Sequence, residues 1–410
     1  MAAPTSGGPN RFILWALLPL SLALFCGDAH SGAEEPAAPE KQTREPWIVK
    51  EARIRFNYFN QEGFGYQSQA GPGPAGSERL WVYEPMFYLK VQQNQKVEHT
   101  VTIPIDVITS ASTDAIDATT SASRYNEAGT IQINTKIDAT DDDTVNVGYG
   151  GHGEEWYASI FGGVGYTRDL AQDNATVTAR IDGNLDWFNP YGPRPGGVVP
   201  EGNEWDIRAG VSGNVEISQI LNSTTWVKAG YGIAWQKGEL LTPWNSVPFL
   251  CDPAVTVCIG RIQEKFPGTR LKQTVSGLLA HYLPRTSSTV RVSYRFFADD
   301  YDVRAHTLLG EFYQYMTERA YINAHYRVHH QSAVYFWTNN LGLPLDLSAP
   351  RTADSDLARF WAHEFGFKVL FHLTPPGRKK QHDLDAYYNR YIRTNNLSVH
   401  VVSIGYGYKF

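Results

Sequence analysis

Charged side chains recur at every second position along several stretches of the chain. Along 175–187, Arg180 and Asp182 alternate with Val177 and Ile181. Because alternate residues of a β-strand point to opposite faces, each such stretch gathers its charges on one face. Rows of arginines and carboxylates can set the electric field of a water-filled pore, or they can pair and fill its interior. The candidate lining residues are Arg53, Arg55, Glu84, Asp106, Arg180, Asp182, Asp206, Arg208, Arg291, Arg295, His325 and Arg327.

A polar cluster follows one of these stretches, where a long connection begins. Asp106 is followed by Ser110, Ser112 and Asp114. Carboxylates and hydroxyls are ligands for hard cations such as calcium. The spacing of the acidic residues matches no complete calcium-binding loop. We therefore expect a solvated, hydrogen-bonded root of the loop rather than a metal site.

Histidines and serines offer two further kinds of chemistry. His306, His325, His329 and His330 fall on neighbouring predicted strands, where facing histidines can bind a transition metal or haem. The chain has no Cys-x-x-Cys-His motif, so polar histidines on a pore wall are expected instead. A Gly-x-Ser-x-Gly motif is also missing, which leaves a membrane hydrolase as an alternative by fold analogy alone. The sequence predicts no catalytic residue, metal or cofactor.

The stretch that ends the chain indicates the architecture that positions these residues. From Leu397 onward, apolar residues alternate with small or charged ones, and the last three apolar residues are Tyr406, Tyr408 and Phe410. An apolar face that ends in aromatic residues is typical of the strand that closes a transmembrane β-barrel. This closing strand is also the expected signal for the outer-membrane barrel assembly machinery. The edge strand of a soluble sandwich can alternate in the same way.

Connection lengths favour the barrel over the sandwich. Short polar joints such as 93–96 and 284–288 alternate with longer connections such as 61–78 and 237–265. Outer-membrane barrels have short periplasmic turns and long outer loops. The sequence predicts an all-β antiparallel up-and-down barrel of about 16 strands, within a range of about 14 to 18, with a short penultimate strand at Asp385–Arg393. An even count places both chain ends in the periplasm.

The N-terminus has the layout of an export signal. Arg11 precedes an apolar run of about 14 residues, which is too short to span a bilayer as a helix. Cleavage is expected after Ala29 or Ala33. The predicted organisation is a signal peptide at 1–33, a flexible periplasmic lead-in at 34–47 and a barrel at 48–410. Cleavage would remove Cys26.

Two cysteines then remain, and both lie in the longest connection. Cys251 and Cys258 are separated by six residues that include Pro253, which favours a turn. An even pair of cysteines in an exported protein predicts a disulfide. Strand parity places this connection outside the cell. The bridge would hold the segment at the mouth as a lid or partner contact, or the segment is a surface loop without a further role.

Five blocks of the chain support a family resemblance. They are 105–115, 221–225, 264–270, 294–301 with His306 and Thr307, and 327–336. In this order they resemble an outer-membrane β-barrel family catalogued as domain of unknown function 3570. The resemblance covers most of the mature chain. It implies a barrel in the outer membrane of a Gram-negative bacterium and no established activity.

The predicted barrel size and charged lining favour a porin-like channel for small polar solutes or ions. The alternative is a non-conducting barrel that sheathes or anchors a periplasmic or extracellular partner, such as a redox protein. The net charge of −6 gives no reason to expect nucleic-acid binding. Lipid of the outer membrane is the partner that the predicted fold itself requires.

Overall fold

The computed structural model describes residues 47–63, 79–109, 125–154, 157–188, 205–241, 246–252, 257–375 and 377–410. The predicted signal peptide, and Ser110, Ser112 and Asp114, lie outside these ranges. For Asp106, Cys251 and Cys258 only the backbone is described. Within the described ranges, no helix has the length and apolar character that crossing a membrane would require.

Antiparallel β-strands make up most of the described chain. The strands are β1 (Ile48–Gly63), β2 (Leu80–Gln92), β3 (Val97–Thr109), β4 (Tyr125–Asp138), β5 (Asp143–Glu154), β6 (Tyr157–Leu170), β7 (Ala175–Phe188), β8 (Asp206–Asn222), β9 (Thr225–Gly238), β10 (Ser246–Asp252), β11 (Val257–Gln263), β12 (Thr269–Leu283), β13 (Ser288–Asp299), β14 (Arg304–Thr317), β15 (Ala320–Gln331), β16 (Phe360–His372), β17 (Gln381–Arg393) and β18 (Leu397–Lys409). All except β10 and β11 form one closed barrel, in which β18 pairs with β1. The predicted all-β barrel of 16 strands is therefore confirmed.

The alternation of the sequence sets the two surfaces of the barrel. On β1, Ile54 and Phe56 are 48% and 47% exposed, whereas Asn57 is buried. Successive strands pair in register, so residues directly opposite one another share a face. Large apolar side chains consequently cover the outer surface, and polar side chains cover the inner wall. The two surfaces are inverted relative to a water-soluble protein, as contact with lipid requires.

The barrel has two distinct ends. The turn end holds the start of β1, the end of β18 and tight turns such as 223–224. The loop end holds the connections 64–79, 110–124, 189–205, 239–268 and 332–359. Three other connections at the loop end are short, at 155–156, 300–303 and 394–396. The alternation of long and short connections is therefore less regular than predicted, because hairpin closure needs only a turn at either end.

Several strands are longer in the structure than the sequence predicts. The penultimate strand begins at Gln381, which pairs with Lys409, and not at Asp385. Likewise the alternation along 205–217 predicts a strand that continues in the structure to Asn222, and the composition of 109–129 predicts a long loop, yet β4 begins at Tyr125. Backbone pairing with neighbouring strands extends these elements past the point where their side chains stop alternating. The predicted long loop at 237–265 also contains strands β10 and β11.

A compact cap lies at the loop end. We define it as residues 239–241, 246–252, 257–268, 300–303 and 332–359. Its apolar cluster consists of Leu240, Leu241, Phe266, Tyr301, Val303, Val334 and Phe336. The backbones of Lys265 and Arg351 exchange hydrogen bonds of 3.0 and 2.8 Å. Gln331 on the inner wall donates hydrogen bonds to the carbonyls of Asp356 and Ala358, so the cap reaches the inner rim of the mouth.

Candidate functional site: the charged inner wall

The strand register places the predicted lining residues on the inner wall wherever their side chains are described. Arg55 lies opposite Gly405 on one side of β1, and the neighbouring Asn57 lies opposite Glu84 on the other. Alternate residues of one strand share a face, as do paired residues of neighbouring strands, so the register determines which residues face inward around the whole barrel. The residues placed inside are Arg53, Arg55, Glu84, Arg180, Asp182, Asp206, Arg208, Arg291, Arg295, His325 and Arg327. They point into one shared lumen.

The seam where the barrel closes carries two arginine–aspartate pairs. Arg55 binds Asp385 at 2.7 Å, and Arg53 approaches Asp383 at 3.8 Å. In the sheet, Gly405 lies between the first two residues and Gly407 lies between the second two. The aspartate side chains are each 4% exposed. We call this arrangement of β1, β18 and β17 the seam clasp.

The glycines of the seam clasp let the ion pairs lie along the wall. A Cβ atom at Gly405 would come within 2.7 Å of a carboxylate oxygen of Asp385 and 3.1 Å of a guanidinium nitrogen of Arg55. A similar recess occurs at Gly163, where a Cβ would lie 2.0 Å from Asp182. Because glycine has no side chain, a long charged residue of a neighbouring strand can occupy that space. The charges therefore line the lumen instead of crossing it.

Strands β6, β7 and β8 carry a second charged cluster. Arg180 binds Asp182 at 2.6 Å, and Arg208 binds Asp186 at 2.8 Å. The carboxylate of Asp186 also accepts hydrogen bonds from Ser159 at 2.7 Å and from an asparagine side-chain amide two residues earlier on the same strand, at 2.8 Å. A buried carboxylate with several donors is well satisfied. The three contacts join strands β6, β7 and β8 at this point of the wall.

A third cluster lies on strands β13 to β16. Arg327 donates to Glu364 at 2.9 Å, and the Nε2 atom of His325 lies 3.2 Å from the other oxygen of that carboxylate. Farther along the wall, Arg291 lies 3.9 Å from Glu311. The cluster repeats the pairing of cations with carboxylates found at the other two sites.

One predicted lining arginine differs from the rest. Arg295 is exposed in the lumen and lies opposite Ser276 and Thr307 on the adjacent strands. It makes no ion pair with any residue of the described ranges. Its positive charge is therefore exposed to the lumen.

The carboxylates that pair with Arg53, Arg55 and Arg327 were not predicted from the sequence. Asp383, Asp385 and Glu364 lie on β16 and β17, whose alternation was obscured by inward aromatic residues. A signal was present, because Asp383 and Asp385 are two residues apart, as are Arg53 and Arg55. Matching the two pairs required knowledge that their strands lie two apart in the sheet.

The predicted histidine group is divided between the two surfaces. His325 and His329 share the inner wall as predicted, whereas His306 and His330 lie opposite each other on the outer surface. The expectation of pore-wall histidines was therefore wrong for His306 and His330, because their strand positions have the parity of the apolar face. No group of three or more potential metal ligands occurs within the described ranges.

The cap contains a buried carboxylate. Glu264 is 2% exposed and accepts hydrogen bonds from the Thr352 hydroxyl at 2.6 Å and the Ala353 amide at 3.0 Å. Burial, followed by the negative charge of Asp354, raises the pKa of Glu264 from 4.5 to about 8. The carboxyl group joins the two main connections of the cap.

The cysteine hairpin forms part of the same cap. Cys251 and Cys258 lie directly opposite each other on β10 and β11. Opposed residues of antiparallel strands have Cα atoms about 4.5 to 5.5 Å apart. This range overlaps the separation that a disulfide needs. The disulfide itself stays a prediction.

Solved structures with a similar backbone include three proteins of Pseudomonas. A BenF-like porin of Pseudomonas fluorescens Pf-5 is 11% identical, with a TM-score of 0.44, over 88% of this chain and 99% of its own. OccK5 (OpdH) of Pseudomonas aeruginosa is 9% identical, with a TM-score of 0.42, over 88% and 97%. A FadL homologue of Pseudomonas aeruginosa is 10% identical, with a TM-score of 0.39, over 88% and 90%. No curated protein sequence matches the chain.

The closed barrel, its apolar outer surface and its polar inner wall are the features of a protein of the Gram-negative outer membrane. A family model described as protein of unknown function (DUF3570) matches residues 127–402, which is more than half of the chain. The chain belongs to this DUF3570 family.

Proposed function

We propose that the barrel is a passive channel for small polar solutes and ions. The observation that carries this proposal is the placement of ion pairs along the inner wall, over glycines such as Gly405. Paired charges that lie flat leave the axis of the barrel to water. A barrel of 16 strands is wide enough for an aqueous channel.

The cap would narrow the entrance of this channel. It contacts the inner rim at Gln331 and at Arg393, which forms an ion pair with Asp356. Solutes would enter past this side of the mouth and then meet Arg295. An unpaired arginine on the wall of a narrow aqueous path favours anions over cations. We therefore propose weak anion preference.

Conductance of the purified protein in planar bilayers tests the channel, and a charge reversal tests its path. Arg295→Glu is expected to move the reversal potential in a salt gradient toward cation selectivity. Arg285→Glu is the matched control, because Arg285 is exposed in the turn between β12 and β13. Charge reversal of Arg180 should act in the same direction as that of Arg295. Equal reversal potentials for wild type and Arg295→Glu would contradict the proposed path.

A glycine substitution tests whether the flat ion pairs keep the lumen wide. Gly405→Val is expected to push Arg55 and Asp385 toward the axis and lower the single-channel conductance. Gly183→Val is the control, because Gly183 faces outward and a Cβ there would meet nothing closer than 3.7 Å. Absence of conductance in the wild type, with a stoichiometric protein partner in the preparation, would instead favour the barrel as a sheath or anchor.

A further inference from the structure

The loop end of the outer surface carries a concentration of basic side chains. They lie on or next to strands β14 to β18, each within four residues of the strand end. We call them the basic rim: Arg304, His306, His330, Arg359, His363, Arg390 and His400. The proposed pore does not involve these residues, because they point away from the lumen.

Carboxylates are missing from this part of the outer surface. No outward-facing position on the described strands β13 to β18 is Asp or Glu. Arg304 and Arg359 are exposed and form no ion pair with a described residue. Arg390 contacts another basic group, His400. Most cations of the inner wall pair with carboxylates, Arg295 being an exception, so the basic rim differs from that wall in having no internal counter-charge.

Aromatic side chains fix the depth of the basic rim in the membrane. His306 contacts the hydroxyl of Tyr294 at 2.6 Å, and His363 contacts that of Tyr326 at 2.7 Å. The ring of His330 lies 4.4 Å from that of Trp361. Tyrosine and tryptophan occupy the level of the lipid headgroups in membrane proteins. The basic rim therefore lies at the headgroup level of the leaflet at the loop end.

The rim is divided into two groups. The first group lies on or next to β14 to β16 and consists of Arg304, His306, His330, Arg359 and His363. Within it, both Arg359 and His306 lie within electrostatic range of His330. Arg390 and His400 lie opposite each other on β17 and β18. Neighbouring strands are about 4.8 Å apart, so the groups are separated by roughly 10 Å along the surface. Two phosphates on one headgroup can occupy both groups.

We propose that the basic rim binds a lipid with two phosphate groups in the outer leaflet of the outer membrane. Long loops of outer-membrane barrels face outward, which puts the rim in that leaflet. Arginine is suited to phosphate because its guanidinium group can donate two parallel hydrogen bonds. The histidines whose Nδ1 atoms contact tyrosine hydroxyls can present their Nε2 atoms to the same headgroup.

The test measures binding of diphosphorylated lipid A to the intact barrel in neutral detergent by native mass spectrometry. The variant R304Q/R359Q/R390Q removes three cations from the rim. The matched control R378Q/K379Q/K380Q removes three exposed cations from the turn end. We expect affinity to fall about 100-fold in the rim variant at low ionic strength and to remain unchanged in the control. Heat-modifiable migration on gels verifies that both variants are folded.

Two further probes identify the chemistry. Lipid A from which both phosphates have been removed is expected to bind to wild type no better than to the rim variant. Phosphatidylglycerol, with one phosphate, is expected to bind at least tenfold more weakly than diphosphorylated lipid A. Equal affinity of wild type and the rim variant would overturn the proposal, as would an equal loss in the control. Equal binding of phosphatidylglycerol would overturn the assignment of a two-phosphate lipid.

Discussion

Removal of one side of the seam clasp should weaken the closed barrel. Arg55 and Asp385 are 2.7 Å apart, and the aspartate side chain is 4% exposed. In Arg55→Ala, the carboxylate loses its guanidinium partner, while Lys368 at 4.0 Å compensates only in part. A buried charge that loses its partner costs about 3 to 5 kcal/mol. We expect the free energy of unfolding to fall by about 3 kcal/mol, the lower end of this range, because the Arg55 side chain is 28% exposed and Lys368 remains.

The assay is urea unfolding in phospholipid vesicles, followed by tryptophan fluorescence. The single variants Arg55→Asp and Asp385→Arg should each be destabilised, because each places two like charges beside Gly405. The double variant restores an opposite pair and should recover at least half of the loss. If the double variant loses as much free energy of unfolding as the two single variants together, the clasp is refuted, since the effects of independent sites are additive. Arg285→Asp, in an exposed turn, is the control for a simple change of charge.

Three other predictions concern the cap. Because the pKa of Glu264 is raised from 4.5 to about 8, ionisation of this carboxyl group destabilises the folded cap progressively as the pH rises through that window, by about 5 kcal/mol at most. Amide hydrogen exchange in the cap, corrected for intrinsic rates, should therefore accelerate at least tenfold from pH 5 to 9 in wild type. Glu264→Gln should show no such acceleration. Cys251 and Cys258 should react with a membrane-impermeant thiol reagent on intact cells only after mild reduction, and labelling without reduction would contradict the disulfide. Phe266→Ala should destabilise the cap by about 3 to 5 kcal/mol and speed its proteolysis, while heat-modifiable migration of the barrel remains unchanged.

The strands and their faces could be predicted from the amino-acid sequence. Alternation along 175–187 identifies which side of β7 is polar, because the side-chain period of a strand is a local property of the backbone. The aromatic residues Tyr406, Tyr408 and Phe410 likewise identify a lipid-facing closing strand without reference to any other part of the chain. Strand ends were less well predicted, since backbone pairing extends β17 back to Gln381, four residues before its predicted start at Asp385.

The pairing of charges, in contrast, depends on how the strands are arranged in the closed barrel. Arg55 and Asp385 are 330 positions apart, and they interact because closure brings β17 within two strands of β1. The choice between free and paired arginines therefore depends on register, which no single strand encodes. Arg295 and Arg327 look equivalent in the sequence, yet Glu364 of the adjacent strand pairs with Arg327, and Arg295 faces only hydroxyl side chains. The basic rim arises in the same way, since its residues become neighbours only when strands β14 to β18 lie side by side.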